Sequence, residues 1–250
     1  MNATGLRGYC VHDWLYALRE SMRPALQTET RLWSWRELHE RASQLAGALR
    51  ERGARPGDRV ALLARDGAVF CSALHAARYA GAVLVPVNTR LAAPEIAEQL
   101  RRVEVRLVLC DRAHEMLAQS SLEAAQTGVG SLTVDEDGQA ACMKPLWRDT
   151  VALDEVQSIV FTSGTTGRPK GAQISFGNHL AQAAASALRL GLAEHERWLT
   201  PLPLFHVGGQ SVLMRSVIAG TAAVVHRSFD PSRIATDLAA GVTLISVVPT

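Results

Sequence analysis

Short, nearly continuous runs of Val, Ile, Leu and Ala recur along this chain, separated by segments whose apolar residues return every three or four positions. No other feature limits the fold as much. A strand that is apolar on both faces has to be covered on both faces, and a parallel sheet between crossover helices is the usual way to do that. The runs at 60–63, 82–87, 105–110, 158–161, 197–202, 222–226 and 242–248 are read as such strands. Helices are expected with Leu38, Ala42, Leu45 and Leu49 on one face, then with Phe70, Leu74 and Ala77 inward. Further helices are expected from Pro94 through Leu100, and over 178–190, 210–219 and 234–239.

Local punctuation agrees with that reading. Ser34 followed by Glu37 is a capping box, and Gly53 is the stop of the helix it opens. Pro56-Gly57-Asp58 turns the chain into the next strand, and Pro94 sits where a first-turn proline belongs. Segment 119–154 is polar and weakly periodic, and is read as a surface connection holding one short strand near 132–134. The expected fold is α/β, with two parallel-type sheets flanked by helices, divided into halves 1–154 and 155–250. Crossovers of this kind are right-handed, and they place ligands at the carboxyl ends of the strands.

At 250 residues the chain can bury a core without disulfides or a structural metal. Lys plus Arg number 26 against 24 for Asp plus Glu, a net charge of +2 that gives no broad basic surface for nucleic acid or acidic membrane. An anionic partner must therefore be met by a local site. Cys10, Cys71, Cys110 and Cys142 are scattered singly with no CxxC pair, as expected of reduced thiols in a cytosolic protein. The first twenty residues hold no apolar core of signal-peptide length, and Asp13 interrupts them. The apolar runs are far shorter than the roughly 20 residues of a spanning helix. A soluble, cytoplasmic protein is expected, and a homo-oligomer is compatible with the sequence.

The chemistry concentrates in Thr162-Ser-Gly-Thr-Thr-Gly-Arg-Pro-Lys-Gly171, directly after the strand at 158–161. Four hydroxyls, three glycines and two cations fall within these ten residues. Glycines let successive backbone N–H groups face one concavity, and hydroxyls and cations add donors and charge, which suits a polyphosphate. A plain surface loop also uses Ser, Thr and Gly, but gives no reason for the Lys, the threonine pair and the buried strand to occur together. The loop lacks the Gly-Lys-Ser/Thr of a Walker motif and the GxGxxG of a dinucleotide fold.

Phe161 through Gly171 resembles, without departure, the signature of the adenylate-forming superfamily: an aromatic residue, TSGTTG, any residue, PKG. The resemblance implies that Thr162, Ser163, Gly164, Thr165, Thr166, Gly167 and Lys170 contact the ATP phosphates, with Arg168 at the variable position. It implies ATP with Mg²⁺ and CoA as co-substrate. In the implied reaction a carboxylic acid and ATP form an acyl-adenylate, and the CoA thiol then displaces AMP. No metal-ligand cluster is visible in the chain itself.

Pro201-Leu-Pro-Leu-Phe-His206 followed by Val207-Gly-Gly-Gln-Ser211 resembles the next motif of the same superfamily. It implies that His206, the candidate catalytic residue, lies beside the reacting carboxylate, either orienting it or hydrogen-bonding to it, and that Phe205, Gly208, Gly209, Gln210 and Ser211 line the acyl pocket. Gly208 and Gly209 either make room for a broad acid or loosen the start of the following helix. Arg215 either faces solvent or points from an apolar helix into a pocket to meet a second anionic group. His179, in the first turn of an Ala-rich helix, either caps it, faces solvent, or binds.

The stretch from 157 onward resembles one branch in particular, the o-succinylbenzoate–CoA ligases of menaquinone biosynthesis. Ser175-Phe-Gly-Asn-His-Leu180, the His206 motif, Arg215-Ser-Val-Ile-Ala-Gly-Thr221, Val225-His226, Phe229-Asp230 and Ser246-Val-Val-Pro-Thr250 carry that likeness. Its dicarboxylic acid gives Arg215 a purpose, since one carboxylate is activated and the other held. A fatty-acyl or other aryl-acid ligase, or a non-catalytic nucleotide-binding remnant of the fold, are the alternatives. The superfamily's adenine-binding stretch, ribose-binding Asp, hinge and C-terminal lid domain with its catalytic Lys have no counterpart in 1–250. The domain is therefore expected to be incomplete at the C-terminus and not to complete thioester formation unaided.

Overall fold

Most of the apolar runs become strands and most of the periodic segments become helices. The computed structural model describes residues 8–65, 67–162, 169–191 and 193–248. In chain order it begins β1 (Cys10–His12), α1 (Trp14–Ala17), β2 (Pro24–Gln27), β3 (Leu32–Ser34), α2 (Trp35–Glu51), β4 (Arg59–Leu63), α3 (Gly67–Ala80) and β5 (Val83–Pro86). There follow α4 (Ala93–Arg102), β6 (Leu107–Asp111), α5 (Glu115–Ala125), β7 (Gly130–Val134), β8 (Thr150–Ala152) and β9 (Val156–Thr162). The chain continues through β10 (Lys170–Ser175), α6 (Phe176–Leu190), β11 (Arg197–Thr200), α7 (Val207–Ala219), β12 (Ala222–Val225), α8 (Pro231–Ala239) and β13 (Leu244–Ile245).

The predicted caps operate. The Ser34 backbone N–H donates to Glu37 Oε2 at 2.7 Å and the Glu37 N–H to Ser34 Oγ at 3.3 Å, closing the box that opens α2. Leu38, Ala42, Leu45 and Leu49 are all buried on its inner face, and Gly53 takes φ +87° beyond its end. Ser175 caps α6 with Asn178, and Asp230 caps α8 ahead of its first-turn Pro231.

Three sheets form. One has six strands in the order β10-β9-β5-β4-β6-β7, and its β5–β9, β4–β5, β4–β6 and β6–β7 pairs are parallel. Another has five, β13-β11-β12-β2-β3, parallel except for β2 against β3. β1 and β8 make a small antiparallel pair. Two parallel-type sheets flanked by helices are thus found as expected, with the antiparallel β2–β3 pair making the five-stranded sheet mixed. Pro24–Gln27 and Leu32–Ser34 are too short for their period to show.

The chain divides into two compact units at other places than 154/155. One holds Met1–Glu40, Asp149–Glu155 and Ser175–Thr250, and the other Arg41–Arg148 and Val156–Ile174. Strand pairing decides this, because β9 is hydrogen-bonded to β5 and β2 to β12. In the second unit Leu63, Val85, Ile96, Leu100, Val108 and Ile159 share one core, with α4 packed on α5. In the first, Leu199, Val224, Ile234 and Val242 pack between sheet and α8.

Segment 119–154 carries more structure than its polarity suggested, since α5 covers its start and β8 its end. The buried positions of α5 are Ala118, Ser121 and Ala125, so it packs through small residues that leave no apolar stripe. β10 was not anticipated either; Lys170 to Gln173 are exposed and show no alternation. The run at 242–248 yields only a two-residue strand, with Val247 and Val248 more than half exposed rather than buried. No helix among the described residues is long and apolar enough to cross a membrane.

Candidate functional site

In the six-stranded unit, β9 is buried from Gln157 to Val160 and surfaces at Phe161 and Thr162. It runs parallel to β5, so the loop that follows leaves from the carboxyl end of the sheet, where ligands of α/β folds collect. Ser163, Gly164, Thr165, Thr166, Gly167 and Arg168 lie outside the described residues. The stem on either side is described. Thr162 Oγ1 donates to the Lys170 carbonyl at 3.5 Å, and Lys170 is exposed, with no ion pair among the described residues. Gly171 has a packing reason: a Cβ there would lie 2.8 Å from Ile159 Cγ2 and 3.6 Å from Val103 Cγ1.

In the five-stranded unit, β11 ends at Thr200 and the chain turns through Pro201–Phe205 into α7. His206 is the N-cap residue of α7, but its side chain makes no capping bond. Its ring lies 4.3 Å from that of Phe205, centroid to centroid, and faces solvent. Partial desolvation lowers its pKa below the ordinary histidine value, so the imidazole is neutral at pH 7 and offers one donor and one acceptor. Ser211 Oγ is committed to its own helix, donating to the Val207 carbonyl at 2.6 Å. Gln210 is fully buried, and both of its amide heteroatoms lack a hydrogen-bond partner among the described residues.

Gly209 has a definite steric role. A Cβ there would sit 2.8 Å from the Pro203 carbonyl oxygen and 3.0 Å from Leu204 Cα, so the first turn of α7 closes on the loop backbone only because the side chain is absent. Gly208 is looser, with Leu202 Cδ1 at 3.3 Å. The spacing of two glycines gave no hint of this division of labour.

Arg215 is not a solvated helix arginine. It points into a cavity of about 180 Å³ walled by Leu180, Ala183, Ala187, Ile218 and Ala219. Its guanidinium lies 3.8 Å over the Trp198 ring and donates to Ser186 Oγ and Ser246 Oγ, both at 3.3 Å. Trp198 Nε1 also donates to Ser246 Oγ, at 2.8 Å. No carboxylate pairs with Arg215 among the described residues, and burial lowers its pKa to about 10, leaving it charged at neutral pH. The result is a half-buried cation on an aromatic floor, in a mainly apolar pocket whose wall also includes Glu196 and Thr221. Trp198, Ser186 and Ser246 were not anticipated, because their part depends on which way Arg215 points.

His206 and Arg215 are brought onto one helix but not into one cavity. They are nine residues apart, about 13 Å along α7, and neither His206 nor Phe205 lines the Arg215 cavity. His179 is buried at 2% exposure, so it does not face solvent. A buried pair that the sequence did not announce joins His226 Nε2 to Asp237 Oδ2 at 2.6 Å. Among the described residues no group of three His, Cys, Asp or Glu is placed to hold a metal ion.

Comparison with known proteins bears on these features. The 2-succinylbenzoate–CoA ligase of Bacillus licheniformis is 38% identical over 217 residues, covering 86% of this chain and 44% of that protein. The Listeria monocytogenes enzyme of the same name is 37% identical, with 90% and 46% covered. Among solved structures, o-succinylbenzoate CoA synthetase from Bacillus subtilis in complex with the acyl-adenylate intermediate superimposes with a TM-score of 0.86 at 33% identity, over 96% of this chain and 62% of that one. The same enzyme with ATP and magnesium ion gives 0.84 at 32% identity, over 95% and 63%. The chain thus spans a little under half the length of the curated relatives it matches. The family model described as AMP-binding enzyme matches residues 16–250, and the chain belongs to that family.

Proposed function

We propose that this chain supplies the ATP-phosphate site and the acid pocket of an ATP-dependent acid–CoA ligase, and that the acid is o-succinylbenzoate. In the first step a carboxylate oxygen of the acid attacks the α-phosphorus of ATP, and the bond to the leaving pyrophosphate breaks to give the acyl-adenylate. In the second the CoA thiol adds to the acyl carbon and AMP departs, leaving the thioester. The loop from Thr162 to Lys170 holds the leaving pyrophosphate, with the Lys170 ammonium offsetting charge as it develops. Magnesium would be held by the nucleotide phosphates, whose charge it would offset. His206, neutral and solvent-facing, hydrogen-bonds the reacting carboxylate.

The choice of acid rests on Arg215. A cavity of about 180 Å³ is close to one that holds a single benzene ring, ~150 Å³. A mainly apolar pocket of that size, with a half-buried guanidinium that pairs with no carboxylate among the described residues although Glu196 is on the wall, suits an aryl acid bearing a second carboxylate. A fatty-acyl chain would leave that half-buried cation with no carboxylate to meet it. Such chemistry, drawing on ATP and CoA, is placed in the cytoplasm. Calorimetric titration of the chain with o-succinylbenzoate, benzoate and octanoate, in the presence of Mg-ATP, tests the reading. The dicarboxylate is expected to bind at least tenfold more tightly than either monoacid; equal affinities would overturn it.

A further inference from the structure

The phosphate loop closes at Lys170, and three contacts fix the backbone around that residue. On the side before it, Arg102 of α4 reaches across and donates from Nη1 to the Pro169 carbonyl at 2.5 Å. At Lys170 itself, Thr162 Oγ1 donates to the carbonyl. Beyond it, Gly171 leaves no room for a side chain: a Cβ there would lie 2.8 Å from Ile159 Cγ2, with Val103, the neighbour of Arg102, at 3.6 Å. The end of α4 therefore grips the chain just before the lysine and lies close to it just after.

Arg102 is free to do this. The adjacent Arg101 is engaged by Glu98 and the Ala124 carbonyl, whereas the bond to Pro169 is the interaction shown for Arg102. Both partners line one groove with Leu91, Glu95 and Phe161, so the bond spans an open cleft beside the loop. A hydrogen bond from a guanidinium to a carbonyl is stronger than one between neutral groups, and this one restrains a peptide next to a flexible lysine stem.

We infer that Arg102 is a positioning residue for nucleotide binding: it anchors the Pro169 carbonyl and so presents the Lys170 ammonium to the phosphates. The inference rests on the phosphate-loop reading given above and adds to it a residue outside the motif. Its guanidinium contributes through Lys170 and makes no phosphate contact of its own.

The test is a double-substitution cycle on the 250-residue chain, read by Mg-ATP affinity, with hydrogen exchange at the Lys170 and Gly171 amides as a second measurement. Arg102→Ala is expected to weaken Mg-ATP binding about three- to tenfold, to speed exchange at both amides, and to leave the unfolding midpoint unchanged because the side chain is exposed. Arg102→Lys is expected to recover part of the affinity. In a Lys170→Ala background the Arg102→Ala effect is expected to vanish. An undiminished effect in that background would show that Arg102 acts by direct charge and would overturn the inference. So would wild-type affinity and exchange in Arg102→Ala while Lys170→Ala alone weakens binding. If Lys170→Ala leaves Mg-ATP affinity intact, the phosphate-loop reading itself fails, and the inference with it.

Discussion

Replacing Arg215 by Met separates binding from stability. In the folded chain the guanidinium is held at a pKa of about 10 by desolvation. At 1.36 kcal/mol per pKa unit that is about 3 kcal/mol of charge destabilisation, which residual solvent contact reduces to about 1–2. Against it stand the stack on Trp198, about 0.5–1 kcal/mol, and two long hydrogen bonds to serines of about 0.5 kcal/mol each. The terms nearly cancel, and a methionine fills the same apolar walls. Arg215→Met should therefore shift the melting temperature by no more than about 4 °C in either direction. Binding should respond differently. Charge-assisted hydrogen bonds to a carboxylate contribute about 1.5–3 kcal/mol, so affinity for o-succinylbenzoate should fall roughly 10- to 150-fold, while benzoate affinity stays within a factor of two or so. Calorimetry on both acids and a thermal melt decide the matter. A variant that melts much lower and binds the dicarboxylate as before would show that Arg215 is structural.

Three further outcomes follow from separate features. Lys170→Ala should weaken Mg-ATP and pyrophosphate binding by about tenfold or more, seen by titration, with little change in unfolding; unchanged affinity would remove the lysine from the site. Gly209→Ala drives a methyl against the Pro203 and Leu204 backbone, which cannot swing away like a side chain, and should cost about 1–3 kcal/mol in urea unfolding. A wild-type midpoint would mean that the loop gives freely. His75 is fully buried and its pKa is pushed well below the ordinary value by desolvation and then by Arg78, so the folded chain does not take up the proton that the unfolded chain binds. Its contribution to stability is complete above pH 6.5 and falls by about 1.4 kcal/mol per pH unit below it. Urea midpoints at pH 7.5 and 5.0 should show a steeper loss for the wild type than for His75→Gln, and identical slopes would refute the linkage.

The elements that the sequence made legible are those whose burial is carried by large apolar side chains. α2 announced itself through Leu38, Leu45 and Leu49 and through the Ser34–Glu37 box. α5 did not, since Ala118, Ser121 and Ala125 face inward and a stripe of small residues has no hydrophobic period. β10 hid behind Lys170 and Gly171, whose presence in a strand depends on its neighbour β9. Sheet membership was not readable at all, because local pattern cannot tell that Leu26 pairs with Ala223. The site divides the same way. A dense local motif marked Thr162 to Lys170, whereas the direction of Arg215, the floor supplied by Trp198 and the grip of Arg102 on Pro169 join residues far apart in the chain.

That pairing of Leu26 with Ala223 sets an order of events as the chain is made. Every strand of the six-stranded sheet lies between residues 59 and 175, so its pairing is available once that segment has emerged. β2 and β3 emerge first of the five-stranded sheet, yet β2 has no parallel partner until residues 222–225 arrive. Nearly two hundred residues must be synthesised in between, which at about 5–20 residues per second is roughly 10–40 s. During that interval the apolar Ala25, Leu26 and Trp33, all buried at the end, wait without their sheet. The unit that carries His206 and Arg215 is thus the late-folding one, and its first strands are the part of the nascent chain most in need of protection from aggregation.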